Sequence, residues 1–162
     1  MAWARGVRPS EIEAIYRNRF RVFVLSATAM LGNGEEALDA VQEGFARALS
    51  QRHSFRGEGT PEGWIWRIVL NVARDRLRGR RQPQAPNPRE SSVDAFETSD
   101  QSLRERVLDL PERQRLAVFL RYYADLSYEQ IAEALGVRAG TVAASLHAAL
   151  ASMRRDLEEA KT

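Results

Sequence analysis

Cysteine is absent from these 162 residues, so neither a disulfide nor a thiolate metal site can form. Histidine occurs only as His53 and His147, far apart and without a carboxylate cluster, so no metal and no cofactor is expected. Lysine occurs once, as Lys161, and the other 23 basic side chains are arginines. No apolar run approaches the ~18 residues that span a bilayer. The opening MAWARGVRPSE has no hydrophobic signal segment, so a cytoplasmic protein without membrane insertion is expected. Nothing alternates at the two-residue period of a strand, and no nucleophile–base pair or phosphate loop is visible, so an enzyme is not expected.

What remains is an ordinary globular composition, 44% apolar and 28% charged, long enough for one domain or two small ones. The net charge of +2 is unevenly spread: residues 1–85 carry +5, residues 86–100 carry −3, and residues 101–162 are neutral. A basic first half implies an anionic partner. Between the halves, QPQAPNPRESSVDAFETSD has three prolines, three serines and four acids, the composition of an extended linker without a core.

The first half reads as three helices. Ser10 with Glu13 forms a capping box for a helix ending at Leu31 before Gly32, with Tyr16, Phe20, Phe23, Val24, Ala27 and Leu31 as its apolar stripe. A second helix, 35–49, places Leu38, Val41, Phe45 and Leu49 on one side and Asp39, Gln42, Glu43 and Arg47 on the other. Gly44 inside it costs roughly 1 kcal/mol against alanine. The loop SQRHSFRGEG mixes Arg52, His53, Phe55 and Arg56; it suits an unstacked nucleic-acid strand, or a surface loop with Phe55 tucked inward.

The third helix begins with Thr60 as cap and Pro61 in the first turn. At 100° per residue, Trp64, Arg67, Asn71, Arg74, Arg78 and Arg81 gather on one side, and Ile65, Trp66, Ile68, Val69, Leu70, Val72, Ala73 and Leu77 on the other. Guanidinium groups suit phosphates, an Asn amide suits a base edge, and Trp64 suits stacking, whereas Trp66 lies on the apolar arc and suits packing. A merely solvated basic face fits the same pattern, and Asn71 could equally be a buried amide tying loop to helix.

The second half reads as three helical stretches. Leu110-Pro111 opens the first, with Leu116, Phe119, Leu120 and Tyr123 as its core stripe. Ser127 with Gln130 caps the second, Gly136 supplies a turn, and Val142, Leu146, Ala149, Leu150 and Met153 line the third. Helix, glycine turn and helix make a helix-turn-helix, with nucleic-acid binding as the functional reading and a structural hairpin as the other.

Taken together, the chain from Ile12 to Leu157 resembles the extracytoplasmic-function family of bacterial RNA polymerase sigma factors. Asp39-Ala40-Val41-Gln42-Glu43-Gly44-Phe45 matches the D-x-V-Q-E-x-F segment of that family's region two. Phe55, Trp64-Ile65, Arg67-Ile68, Asn71, Asp75 and Arg78 match the rest of its pattern. Leu110-Pro111, Arg113-Gln114-Arg115, Leu120-Arg121-Tyr122, Leu126-Ser127-Tyr128, Leu135-Gly136 and Gly140-Thr141-Val142 stand at positions of region four.

The resemblance implies an all-α protein of two small helical domains, a region-two bundle at 1–82 and a region-four helix-turn-helix domain at 101–162, joined by a flexible linker at 83–100. It implies a transcription initiation factor that binds core RNA polymerase, recognises promoter DNA and assists its melting. Asp39, Gln42, Glu43 and Arg47 would dock on the β′ clamp, and region four on the β flap. Arg52, Phe55, Arg56, Trp64, Arg67, Asn71, Arg74, Arg78 and Arg81 would engage the minus-ten element. Arg121, Ser127, Tyr128, Arg138, Thr141, Ala144, Ser145, His147 and Ala148 would read the minus-thirty-five element. An anti-sigma factor is a further candidate partner.

Two departures stand out. The recognition helix reads Thr141-Val142-Ala143-Ala144-Ser145-Leu146-His147-Ala148-Ala149, without the cations common in the family, which leaves upstream affinity weak or carried by Arg121, Arg138, Arg154 and Arg155. Leu38 stands where the family often has an acid. A stand-alone helix-turn-helix regulator would leave the first half unexplained, and a polymerase-binding adaptor without productive upstream contact would explain the alanines.

Overall fold

In the computed structural model, which describes residues 6–79, 101–159 and 161–162, seven helices follow one another with no strand among the described residues. They are α1 (Pro9–Leu31), α2 (Gly34–Ser50), α3 (Pro61–Arg78), α4 (Gln101–Asp109), α5 (Glu112–Tyr122), α6 (Tyr128–Leu135) and α7 (Ala139–Glu159). A short 3-10 turn, Arg52–Ser54, lies between α2 and α3. The all-α expectation holds. The linker and Arg81 lie outside the described residues.

Helix α1 starts two residues earlier than the Ser10–Glu13 pair suggests. Pro9 takes the first helical position, where its fixed φ is already helical, and the Glu11 carboxylate accepts the Arg8 amide proton at 2.9 Å. That bond is the main reason the Glu11 carboxyl lies below its ordinary pKa. Gly32 ends the helix at φ 72°, its amide bonded to Thr28 O.

The three helices of the first half share an aromatic core. Phe23 stacks on Trp66 with ring centroids 3.7 Å apart, and Phe45 meets Phe23 and Tyr16 edge-on at 4.9 and 5.0 Å. Trp66 and Phe23 are fully buried, so the packing reading of Trp66 holds; burial of each such side chain is worth about 2–3 kcal/mol. Helix α2 departs from its expected stripe. Val41 and Phe45 are buried, but Leu38 and Leu49 are exposed. The buried side is instead Ala37, Ala40, Val41, Gly44, Phe45 and Ala48, because α2 crosses its neighbours too closely for leucine. Arg19 on α1 reaches Glu62 in the first turn of α3 at 2.8 Å, bracing the start of that helix.

In the second half, α4 is an addition to the three helical stretches that periodicity indicates. Its last turn is fastened to α5 by the buried Arg115, whose guanidinium donates to Leu108 O at 3.1 Å and Leu110 O at 3.4 Å. Burial lowers the pKa of that guanidinium, and the neighbouring Glu112 offsets part of the effect. The chain then turns through 100° between α6 and α7. Ser127 and Gln130 form the expected capping box: Gln130 N donates to Ser127 Oγ at 3.2 Å and Ser127 N to Gln130 Oε1 at 2.9 Å. Gly136 takes φ 67°, Val142 is fully buried and Ala132 is nearly so, as a helix-turn-helix requires.

The halves also touch one another. Helix α6 packs on α3, and α1 packs on α5.

Candidate nucleic-acid and polymerase interface

Thr60 begins α3 as expected, its hydroxyl accepting the Gly63 amide at 3.1 Å, with Pro61 in the first position. Ile65, Trp66, Val69, Leu70, Val72 and Ala73 are buried, and that register turns the basic stripe outward. Arg67, Asn71 and Arg78 are exposed, and Arg74 is half-buried. Asn71 therefore ties nothing to the core; its amide is free to face a base edge. Arg78 lies 3.7 Å from Asp75, an exposed pair that costs little to break.

The loop ahead of α3 divides its expected contacts. Arg56 is exposed, but Phe55 is buried and packs against the half-buried Trp64 with centroids 5.7 Å apart. The inward alternative for Phe55 is thus the one the fold adopts, because the short turn after α2 carries it over the α3 core side. In this conformation Phe55 offers no free stacking face. Arg52 is likewise engaged, its guanidinium donating to Leu49 O at 3.0 Å while its carbonyl accepts the Val7 amide.

On α2, Asp39, Gln42 and Arg47 are exposed. Glu43 bridges two cations, Arg47 at 2.6 Å one turn along and Arg76 of α3 at 2.8 Å. Hydrogen bonding from Arg76, then from Arg47, holds the Glu43 carboxyl below its ordinary pKa against the opposing effect of burial. The Arg76 partner has no sequence signal, because no local period connects positions 43 and 76. Glu43, Arg47 and Arg76 are therefore a bound cluster beside exposed Asp39 and Gln42, with Leu38 and Leu49 exposed on the same helix.

In the helix-turn-helix, Arg138, Ala144 and His147 are exposed and Thr141, Ser145 and Ala148 half-buried, one open face of α7. Exposed Tyr128 and half-buried Ser127 flank the start of α6. Arg121 is turned inward: its guanidinium donates to Leu126 O at 3.0 Å and lies 5.4 Å over the Tyr128 ring, which leaves it holding the turn and orienting the tyrosine. Arg154 and Arg155 are exposed beside Gln114 and Ser152 in an open cleft between α5 and α7. These cations follow the alanine-rich segment along α7 and share the cleft with Ala148.

Where α6 meets α3, Gln130 Nε2 donates to Thr60 Oγ1 at 3.3 Å. The Glu133 carboxylate lies against Gly59 and Gly63 and accepts the Thr60 amide proton. Burial there raises the Glu133 pKa, with the Thr60 amide and the Arg67 charge opposing it. No motif or period in the sequence joins Thr60, Gln130 and Glu133.

Among the described residues no group of His, Asp and Glu side chains could hold a metal ion, and no single helix is long and apolar enough to cross a membrane.

Comparison with known proteins matches residues 17–82 to the family description "Sigma-70 region 2" and residues 100–153 to "Sigma-70, region 4". The RNA polymerase sigma factor SigV of Bacillus subtilis is 31% identical over 83% of this chain and 84% of its own length. The RNA polymerase sigma-E factor of Streptomyces coelicolor is 31% identical over 91% of this chain and 86% of its own. Among solved structures, the sigma factor RpoE bound to the anti-sigma factor NepR, from Bartonella quintana, superposes with a TM-score of 0.67. It is 18% identical and covers 92% of this chain and 98% of its own, a likeness of fold.

Proposed function

Since this chain belongs to the sigma-70 family of RNA polymerase sigma factors, in its extracytoplasmic-function branch, we infer that its two halves divide the work of starting transcription. The protein is a transcription initiation factor whose partners are core RNA polymerase and promoter DNA. Residues 1–82 serve as the polymerase-docking and minus-ten module, 83–100 as the connector, and 101–162 as the upstream-reading module. The observation that carries this is the sidedness of α3: an apolar face packed on Phe23 and Gly44 turns Arg67, Asn71 and Arg78 into solvent as one stripe, with Arg74 half-buried along it.

Phosphates approach the arginines, and the Asn71 amide reads a base edge exposed as the strands part. Asp39, Gln42, Glu43 and Arg47 present a polar array to polymerase, with Leu38 and Leu49 burying apolar surface beside it. The α7 face from Arg138 through Ala148 sits in the major groove of the upstream element, with few phosphate contacts. No chemical step is assigned to any residue, and work on polymerase is work in the cytoplasm. An anti-sigma factor is a fitting regulator, given the complex formed by the structurally similar RpoE.

The test is reconstituted transcription. Core enzyme should start at discrete promoters only when this protein is added; initiation indifferent to its presence would overturn the assignment.

A further inference from the structure

We propose that Gly6 and Val7 are positioning residues for promoter opening, a role that rests on the assignment above. They strap the turn after α2 in place and so aim residues 56–59 at the parted minus-ten strand. The Val7 amide donates to Arg52 O at 2.9 Å, and the Val7 side chain is buried in the core that also holds Phe55. Gly6 runs at φ 119°, a conformation that favours glycine, and a Cβ there would stand 2.9 Å from Arg52 O and 3.2 Å from His53 Cα. Arg8 N is bonded to Glu11, and Pro9 has no amide proton. Each amide from Val7 to Pro9 is thus committed or absent, so the strap has little freedom of its own.

The turn needs such a brace. A single 3-10 turn, Arg52–Ser54, has weak hydrogen-bond geometry by itself. Its internal bonds converge on one acceptor, Gln51 O, which takes Ser54 N at 2.8 Å and Ser54 Oγ at 2.7 Å. Arg52 works as the tie: its guanidinium reaches back to Leu49 O at 3.0 Å, and its carbonyl receives the strap. That double use explains why an arginine expected on DNA is turned toward the fold. Phe55 then enters the core against Trp64.

Beyond Phe55 the chain is exposed from Arg56 to Gly59, and a Cβ at Gly57, φ 82°, would meet nothing within 4 Å. Thr60, whose hydroxyl accepts Gly63 N at 3.1 Å, fixes the far end. Residues 56–59 are therefore a short loop pinned at both ends, leading into α3 just before Trp64 and Arg67 begin the stripe. Releasing the strap frees one pin and leaves every charge of the stripe unchanged. Val7 is 3% exposed, so it acts on DNA only through the turn. Its loss should weaken the hold on unpaired bases and spare both the attraction to phosphates and the polar array of α2.

The test uses the full-length protein with core polymerase. In Gly6→Ala, and in the milder Val7→Ala, amide hydrogen exchange over residues 52–59 should quicken at least fivefold while α2 and α3 stay within twofold of wild type. Opening of a duplex promoter, followed by permanganate reactivity of minus-ten thymines, should fall at least fivefold. Core affinity should stay within twofold, and the salt slope of promoter binding should not change, because no cation is lost. Initiation from a promoter already unpaired through the minus-ten element should recover to within twofold of wild type. Val7→Ile, which keeps the amide and the apolar contact, should open promoters like wild type. Equal losses in core affinity, premelted initiation and duplex opening would mark both residues as structural only and overturn the proposal. So would unchanged exchange over 52–59, or opening within twofold of wild type in both variants. A wild type that opens no promoter would fault the sigma assignment and this role with it, whereas the exchange result stands apart from that assignment.

Discussion

Gly44 of α2 lies against Val69 of α3 so closely that a Cβ at position 44 would stand 2.5 Å from Val69 Cγ2 and 3.0 Å from its Cα. The glycine is the crossing point of the two helices that carry the polar array of α2 and the basic stripe of α3. Gly44→Ala adds ~1 kcal/mol of helix preference but must push the backbones apart, and overpacking of this kind costs ~1–3 kcal/mol. Thermal melting should show a net loss of several degrees.

Asp39 and Glu43 should separate binding from folding. Asp39→Arg should weaken association with core polymerase and leave the melting temperature unchanged, since Asp39 is exposed. Glu43→Arg should weaken association and also lower the melting temperature, because Arg47 and Arg76 lose their shared partner and meet a third cation. The Glu43 pKa is lowered in the fold, so its contribution is present above the unfolded carboxylate pKa and is lost as pH falls through the folded value. The stability gap between wild type and Glu43→Gln should accordingly narrow on acidification, read by melting from neutral pH downward.

Along α3, Arg78→Ala should leave folding intact and reduce promoter opening. The deficit should shrink as salt rises, because the variant releases about one counterion fewer on binding than wild type. Asn71→Ala should melt like wild type, since the side chain is exposed, and should shift base preference in the minus-ten element by ~1–3 kcal/mol. A large drop in Asn71→Ala stability would return that residue to a structural role.

The alanine-rich recognition helix invites a gain of function. Ala144 is exposed on the open face of α7, so Ala144→Arg adds a cation without disturbing the core. Upstream-element binding should tighten, and the slope of log affinity against log salt should steepen by about one.

How much of the fold and its interfaces is legible in the sequence follows from how local each signal is. Helix positions come from periodicity and from single-residue signals at Gly32, Thr60, Ser127 and Gly136, all satisfied within four residues. The start of α1 is ambiguous in sequence because the Ser10–Glu13 and Arg8–Glu11 pairs overlap within one turn, and Pro9 decides between them. The α4 helix escapes a periodicity reading because nine charge-rich residues carry little apolar repeat, and its anchor, Arg115, comes later in the chain. Leu38 and Leu49 look like core residues because leucine outweighs alanine in any apolar count, whereas close helix crossing selects for small residues. The α3 stripe is legible in full over its described length; the Glu43–Arg76 pair and the Glu133 seat join distant positions and leave no trace in any period.

Arg115→Ala would remove two hydrogen bonds from a buried cation to the carbonyls that end α4. Each such bond is worth ~1.5–3 kcal/mol, and the expected loss in a denaturant titration is about 2 kcal/mol or more.

That same guanidinium sets where the second half pivots. With Leu108 and Leu110 clamped to α5, the Asp109–Pro111 bend cannot act as a hinge, so α4 must travel with the helix-turn-helix as a stiff handle. A displacement of α4 then carries α5, and α7 packed on both, as one piece. Force applied by a bound surface to α4 would be delivered to α7 as torque, with little lost in bending.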